Sequence, residues 1–222
     1  MTLAEAVAAW SEGRSQAISL LGEYCKQSGI NTLDDLSADR LRDFLARSYI
    51  EQASASGNAL PQPAELLDAL ESFIGWVDEQ VRPGIGAECL PVITGLAEEL
   101  PRALDIFFAL SGSLVGRGGA FTFPEFLTTF EGGGQGLYDI DVPGEAGARE
   151  GYFRVVRVEG GYAEVEDLIT EDRIWPIILP DDVAGRLATG YIINLEMARG
   201  PDGWHIVGCG FVYPPGADLG IR

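Results

Sequence analysis

Apolar side chains recur at helical spacing through the first half of the chain. The clearest stripe runs along "PAELLDALESFIGWVDEQV" (63–81), where the apolar positions fall on one face of a helix. Those positions are Leu66, Leu67, Leu70, Phe73, Ile74, Val77 and Val81. Pro63 suits a first-turn position and Pro83 stands just beyond the predicted end. The pattern predicts a helix over 63–81.

Similar stripes flank this segment. "SADRLRDFLARSYI" (37–50) predicts a second helix with Ser37 as its N-cap. "QAISLLGEYC" (16–25) and "LPVITGLAEELPRALDIFFAL" (90–110) supply further stripes, and Pro101 is expected to divide the latter into two helices. We therefore predict roughly five helices that form a bundle over residues 1–115.

Glycine-rich sequence follows, as "GSLVGRGG", "EGGGQG" and "VPGEAGARE" within 112–150. Glycines at such short intervals favour loops. One short helix is predicted inside this region, with Thr122 as N-cap, Glu125 completing a capping box and Gly132 ending it. Residues 116–150 are thus predicted to be a connection.

The periodicity then changes to that of β-strands. "GYFRVVRVE" and "YAEVEDLI" flank Gly160–Gly161, which is typical of a two-residue hairpin turn. "RIWPIIL", "YIINLEMAR" and "WHIVGCGFVY" complete a set of five short strands. We predict an α+β protein: a helical bundle, then a small five-stranded β-barrel, SH3-like or OB-like, over 151–215, and a tail at 216–222.

Charge limits the classes of partner. The chain carries 34 acidic and 15 basic residues, a formal net charge of −19, and no segment is net basic. A field of this sign repels phosphate backbones, so a nucleic-acid partner is disfavoured and a protein partner is expected. The N-terminus lacks a signal-peptide pattern and no segment is apolar for the roughly 20 residues of a membrane span. The three cysteines are scattered, which is typical of free thiols, so a cytoplasmic location with no membrane partner is predicted.

The only histidine, His205, and Cys209 lie on one predicted strand. Four residues of strand separate them by roughly 13 Å, whereas a cysteine–histidine dyad needs about 3 Å. A single histidine also excludes a two-histidine metal site within the chain. The glycine runs lack the Gly-Lys-Ser/Thr ending of a phosphate-binding loop. No cofactor is predicted.

Two acidic groupings remain as candidate sites. Glu164 and Glu166 share a strand face roughly 7 Å apart, and with Asp167 they are the best candidates for carboxylate catalysis. The solvated outer face of a hairpin is the simpler explanation for them, and the sequence favours it. "DIDVPGEAGARE" (139–150) places Asp139, Asp141 and Glu150 at calcium-ligand positions of an EF-hand loop. Pro143 stands where a further oxygen ligand belongs, which favours a solvated turn.

The helical half also resembles a known family. "LDDLSADRLRDFLARSYIEQ" followed by "LDALESFIGWVDEQ", about 50 residues, is similar to the core-binding domain of tyrosine recombinases in its rhythm of apolar positions. The resemblance implies a bundle of short helices. The arginines, histidine and tyrosine nucleophile of that family's catalytic domain have no counterpart downstream, so no residue role is carried over.

Three functions remain open at this stage. A non-enzymatic module that binds another protein leads, because catalytic groups are scarce. A carboxylate enzyme using the 164–172 acidic cluster is the second. A nucleic-acid module, related in shape to recombinase core-binding domains, is the third and requires arginines 154, 157, 173, 186 and 199 to converge on one face. Arg154 and Arg157 have opposite strand parity, which predicts that they do not.

Overall fold

The computed structural model describes residues 2–10, 16–56, 60–116 and 147–221. Helices fill the first half of this range and strands most of the second, so the α+β class is confirmed. The α-helices of the first half are α1 (Leu3–Ala9), α2 (Gln16–Gln27), α3 (Ala38–Asp43), α4 (Ile50–Ser56), α5 (Pro63–Gln80), α6 (Ile85–Leu96) and α7 (Glu99–Gly116). The predicted short helix at 122–132, and Asp139 and Asp141, lie outside the described residues.

Helix α5 forms where the apolar stripe predicts it. Pro63 opens the helix, where its missing N–H costs no hydrogen bond, and the Gln62 backbone N–H donates to the Glu65 carboxylate at 3.3 Å. Leu66, Leu70 and Phe73 of the stripe are fully buried, whereas Val81 lies just past the end. Burial of this one face supplies most of the helix's stability, since helices in proteins are stabilised mainly by the packing of an amphipathic face.

The predicted helix over 37–50 is interrupted. Ser37 caps α3 by accepting a hydrogen bond from the Arg40 N–H, as expected. A π-helical turn, Phe44–Tyr49, then separates α3 from α4, which continues to Ser56. A π-turn widens the helix by one residue per turn, and such turns are often found at functional sites.

A break also divides the apolar segment 90–110. Helix α6 ends at Leu96 and α7 begins at Glu99, so Pro101 lies in the first turn of α7. The split occurs as predicted, but a few residues earlier, because a first-turn proline loses no intrahelical hydrogen bond.

The second half contains β1 (Ala148–Glu159), β2 (Tyr162–Asp167), β3 (Arg173–Ile178), β4 (Ile192–Arg199) and β5 (Trp204–Tyr213), with a short helix α8 (Asp181–Ala184) between β3 and β4. They form one mixed sheet in the order β1-β2-β3-β5-β4. β1 and β2, and β2 and β3, pair antiparallel, whereas β3 and β5 pair parallel. Strand β1 begins at Ala148, three residues before the predicted start.

The β1–β2 hairpin turns at Gly160 and Gly161. Both have positive φ, +57° and +85°, a backbone that L side chains rarely adopt and that this type of hairpin turn requires. In β2 the buried residues Ala163, Val165 and Asp167 alternate with more exposed ones, as a half-buried strand predicts.

The described chain divides into two compact units. One comprises residues up to 106 together with 190–192 and 211 onward, and the other comprises 107–189 and 193–210. The core of the first includes Leu21, Phe44 and Phe73, and that of the second includes Phe153, Ile177 and Met197. Within the described ranges, no helix combines the length and apolarity that crossing a membrane requires.

Candidate functional site: an arginine–aromatic face

The two predicted catalytic glutamates lie on the outer face of β2, and arginines from both neighbouring strands contact them. Glu164 lies 3.4 Å from Arg157 and 3.7 Å from Arg173. Glu166 lies 3.5 Å from Arg154 and 3.8 Å from Arg173. The structure thus brings Glu164 and Glu166 together, as their strand parity predicts, but as members of an ion-pair network.

The prediction that Arg154 and Arg157 point to opposite faces is wrong. Arg154 pairs with Glu166 and Arg157 pairs with Glu164, with Val155 opposite Val165 between them. The register shifts at this point, because β1 contains one extra residue, Val156, that has no partner in the β2 register. A β-bulge of this kind resets the alternation of side chains. Both arginines therefore project from the same side of the sheet.

Two aromatic rings complete this surface. Trp175 on β3 and Tyr162 on β2 have ring centroids 6.0 Å apart, and each residue is 42% exposed. The guanidinium carbon of Arg157 lies 4.7 Å from the centroid of the Trp175 ring, within range of a cation–π contact. We call this surface the arginine–aromatic face; its residues are Arg154, Arg157, Tyr162, Glu164, Glu166, Arg173 and Trp175.

The charged groups of this face lie in two layers. The side chains of Arg154, Arg157 and Arg173 are 50%, 52% and 61% exposed. Those of Glu164 and Glu166 are only 18% and 27% exposed. A molecule that approaches the face therefore meets guanidinium groups and rings before it meets carboxylates.

Asp167, the third predicted catalytic carboxylate, does not belong to this face. Its side chain is buried and accepts hydrogen bonds from the backbone N–H groups of Ile169 and Thr170, at 2.8 and 3.1 Å. Its own backbone N–H donates to the carbonyl of Asp172. This is the turn-forming role of aspartate, and it leaves Asp167 facing away from Glu164 and Glu166.

The other arginines that the nucleic-acid hypothesis required are elsewhere. Arg199 near the end of β4 lies over Trp204, 5.7 Å from the ring centroid. Arg186 lies in the connection between β3 and β4. Three of the five arginines converge, and two do not.

His205 and Cys209 on β5 have separate partners. The His205 Nε2 lies 2.8 Å from Asp202 Oδ1, and this contact lowers the pKa of the exposed Asp202. The Cys209 thiol is buried and lies 3.4 Å from the carbonyl of Gly210. Burial raises the pKa of all three cysteines, to about 12 for Cys25 and about 11 for Cys89.

Of the predicted calcium ligands, only Glu150 is described. It lies in β1, where an EF-hand would require the start of a helix. Nowhere in the described ranges do three or more histidine, cysteine or acidic side chains gather as a metal would require.

A polar cluster that the sequence did not indicate lies at the π-turn, between Asp43 just before it and Arg47 within it. Arg47 contacts Asp43 through two nitrogens, at 2.7 and 2.9 Å, and the Tyr24 hydroxyl donates to Asp43 at 2.7 Å. Burial alone would raise the pKa of Asp43, but the hydrogen bonds from Arg47 and Tyr24 lower it overall. Next to it, the Tyr213 hydroxyl donates to Glu51 at 3.2 Å. Burial raises the pKa of Glu51.

A similar pair joins Tyr191 and Glu99. The Tyr191 side chain is fully buried, and its hydroxyl donates a hydrogen bond to Glu99, which also lies 3.5 Å from Arg102. Burial and this hydrogen bond raise the pKa of Tyr191. The partners are 92 residues apart in the sequence, so no local pattern could have indicated the pair.

Comparison with known proteins gives no family for this chain: no family model, no curated protein and no solved structure matches it.

Proposed function

We propose that the five strands close into a small barrel of the OB type. The order β1-β2-β3-β5-β4, the parallel pairing of β3 with β5 and the short helix α8 between β3 and β4 support this arrangement over an SH3-like one. In OB barrels the surface of the second and third strands is a common ligand-binding face. Tyr162 and Trp175 stand on those two strands.

We propose further that the protein is a non-enzymatic module that binds another protein through the arginine–aromatic face. The observation that carries this proposal is the contact of Trp175 with both Tyr162 and Arg157 on an exposed surface. Trp, Tyr and Arg are the residue types that dominate binding energy at protein interfaces, because they offer large rigid surfaces with a polar end. Exposed together, they form a ready anchor site.

Carboxylate catalysis is less well supported. Glu164 and Glu166 each lie between two arginines, beneath more exposed guanidinium groups, so a substrate would contact the arginines first. Asp167 is occupied by the backbone of its own turn.

Nucleic-acid binding is also less well supported, although three arginines and two aromatic rings share the face. Glu164, Glu166 and Glu159, which lies 3.3 Å from Arg157, match the three arginines in number. Binding to phosphates gains free energy from counterion release only where cations are in excess. The chain as a whole carries −19.

The test uses the full chain and two variants. Trp175→Ala removes the central ring, and Phe108→Ala removes a similarly exposed ring on α7. Immobilised proteins are incubated with extract of the source organism, and captured proteins are quantified by mass spectrometry. We expect at least one protein to be retained by the wild type and Phe108→Ala and lost with Trp175→Ala. The purified partner should then bind the wild type at least ten-fold more tightly than Trp175→Ala in calorimetry.

A capture pattern that is identical for all three proteins would refute the proposal. Labelled mixed-sequence DNA and RNA, titrated at about 0.15 M salt, form the second arm. We expect no micromolar binding. Micromolar binding that requires Trp175 and weakens steeply with salt would replace the protein partner with a nucleic acid.

A further inference from the structure

The arginines of the arginine–aromatic face are held loosely by their glutamates. The four contacts to Glu164 and Glu166 span 3.4–3.8 Å, and Arg157 also lies 3.3 Å from Glu159. Arg47, by comparison, donates two hydrogen bonds to the Asp43 carboxylate, at 2.7 and 2.9 Å. A guanidinium group has five N–H donors arranged to fit a carboxylate edge-on. Each arginine of the face therefore keeps donors for an incoming acceptor.

We infer that the partner segment is a short extended peptide in which an apolar or aromatic anchor is accompanied by a nearby carboxylate. This inference rests on the proposed function and names the chemistry of its partner. The anchor packs on Trp175 and Tyr162, and the carboxylate pairs with Arg157 or Arg173. Both contacts use the outer layer of the face as it stands.

Distance limits the spacing of the two groups in the partner. The Arg157 guanidinium lies 4.7 Å from the centre of the Trp175 ring. An extended peptide advances about 3.3 Å per residue, so a carboxylate that reaches Arg157 belongs one or two residues from the anchor. Motifs with the acid further away would have to bend back over the ring.

Charge also selects between classes of segment. A basic peptide would have to displace the exposed arginines to reach Glu164 and Glu166, whose side chains are 18% and 27% exposed. A single carboxylate interacts only with charges close to it, because charges beyond about 8 Å are largely screened at physiological salt. The acidic residues elsewhere in the chain therefore repel it little. A polyanion would have to extend over the acidic remainder of the molecule. The short acidic–apolar segment fits best.

A library of random twelve-residue peptides displayed on phage tests this inference on the full chain. It is selected in parallel on the wild type, Trp175→Ala, Arg157→Gln and the control Phe108→Ala, each verified as folded by circular dichroism. We expect the wild type and the control to enrich peptides with an aromatic or large apolar residue and an Asp or Glu one or two positions away. Trp175→Ala should enrich none of them.

A synthetic peptide of the enriched sequence then provides the affinity. Replacing its acidic residue by the amide should weaken binding to the wild type about ten-fold, and should change binding to Arg157→Gln much less. Enriched sequences that require Trp175 but carry basic or no charged residues would overturn this inference and leave the proposed function intact. Absence of any Trp175-dependent enrichment would overturn both.

Discussion

Arg157 lies across the exposed ring of Trp175, with 4.7 Å between the guanidinium carbon and the ring centroid, although the two residues stand on strands separated by β2. The contact depends on the bulge that turns Arg157 to the outer face and on the side chain of Glu164, 3.4 Å from the Arg157 Nε, which lies beneath it. The Arg157–Trp175 contact therefore forms in solution only if the outer face has the ordered arrangement described above.

We predict a measurable coupling between these two side chains. At exposed sites a cation–π contact contributes about 0.5–1 kcal/mol. The free energy of unfolding in urea, measured for Arg157→Ala, Trp175→Ala and the double variant, should show a coupling of that size. The pair Arg157 and Phe108 serves as the control and should be additive, because Arg157 contacts Glu159, Glu164 and Trp175 whereas Phe108 contacts Phe107, and the effects of sites with separate partners add. Additive losses for Arg157 and Trp175 would contradict the observed packing.

Much of the fold follows from local pattern. The buried stripe of α5, the cap at Ser37 and the Gly160–Gly161 turn are all set by residues a few positions apart, so the sequence was sufficient to predict them. The same is true of the face shared by Glu164 and Glu166.

What the sequence did not reveal depends on partners far along the chain. The bulge at Val156 is fixed by pairing with β2 and carries no glycine to mark it, so simple parity placed Arg157 on the wrong face. Tyr213 and Glu51 are 162 residues apart, and β3 lies parallel to β5 only after an intervening helix and strand. The periodicity of apolar residues predicts which residues are buried, but it does not predict which buried residues contact each other.

Gly210 on β5 should not tolerate a side chain. A Cβ built there would lie 2.2 Å from Asn194 Oδ1 and 3.2 Å from the Asn194 Cβ, and Asn194 is itself buried and donates to the Gly151 carbonyl. We expect Gly210→Ala to lower the free energy of unfolding by about 2 kcal/mol or more, as overpacking does. Urea denaturation measures it.

Gly151→Ala on β1 is the matched control, because a Cβ there meets only the Phe153 ring at an ordinary 3.6 Å. Its effect should stay within about 1 kcal/mol. If the clash with Asn194 is the cause, adding Asn194→Ala should recover part of the stability of Gly210→Ala. Equal losses for the two glycine variants would show that the close approach does not exist in solution.

The three thiols should be inert in the native protein. Cys25, Cys89 and Cys209 are all buried, and burial raises the pKa of each. Because the thiolate is the reactive form, we expect a thiol reagent at pH 8 to modify the native chain far more slowly than the chain in denaturant, where all three react. Fast native labelling of Cys209 would show that β5 opens, and an accompanying loss of binding would place that strand at the interface.

We expect the ionised Glu51 side chain to destabilise the protein near pH 7, relative to a variant that carries an uncharged glutamine at this position. Burial raises the pKa of Glu51, and the hydrogen bond from Tyr213 offsets only part of that rise. A folded-state pKa above the unfolded value means that folding disfavours the charged form, so the cost is present above the folded pKa and disappears as the pH falls below the unfolded one. Glu51→Gln, which keeps an acceptor for the Tyr213 hydroxyl, should therefore raise the melting temperature at pH 7 and leave it unchanged below about pH 4.

Glu23→Gln, at an exposed position of α2, removes one charge without relieving burial and is the control. A gain that persists unchanged at acid pH, or a loss at pH 7, would show that Glu51 is stabilised by its surroundings rather than strained by them.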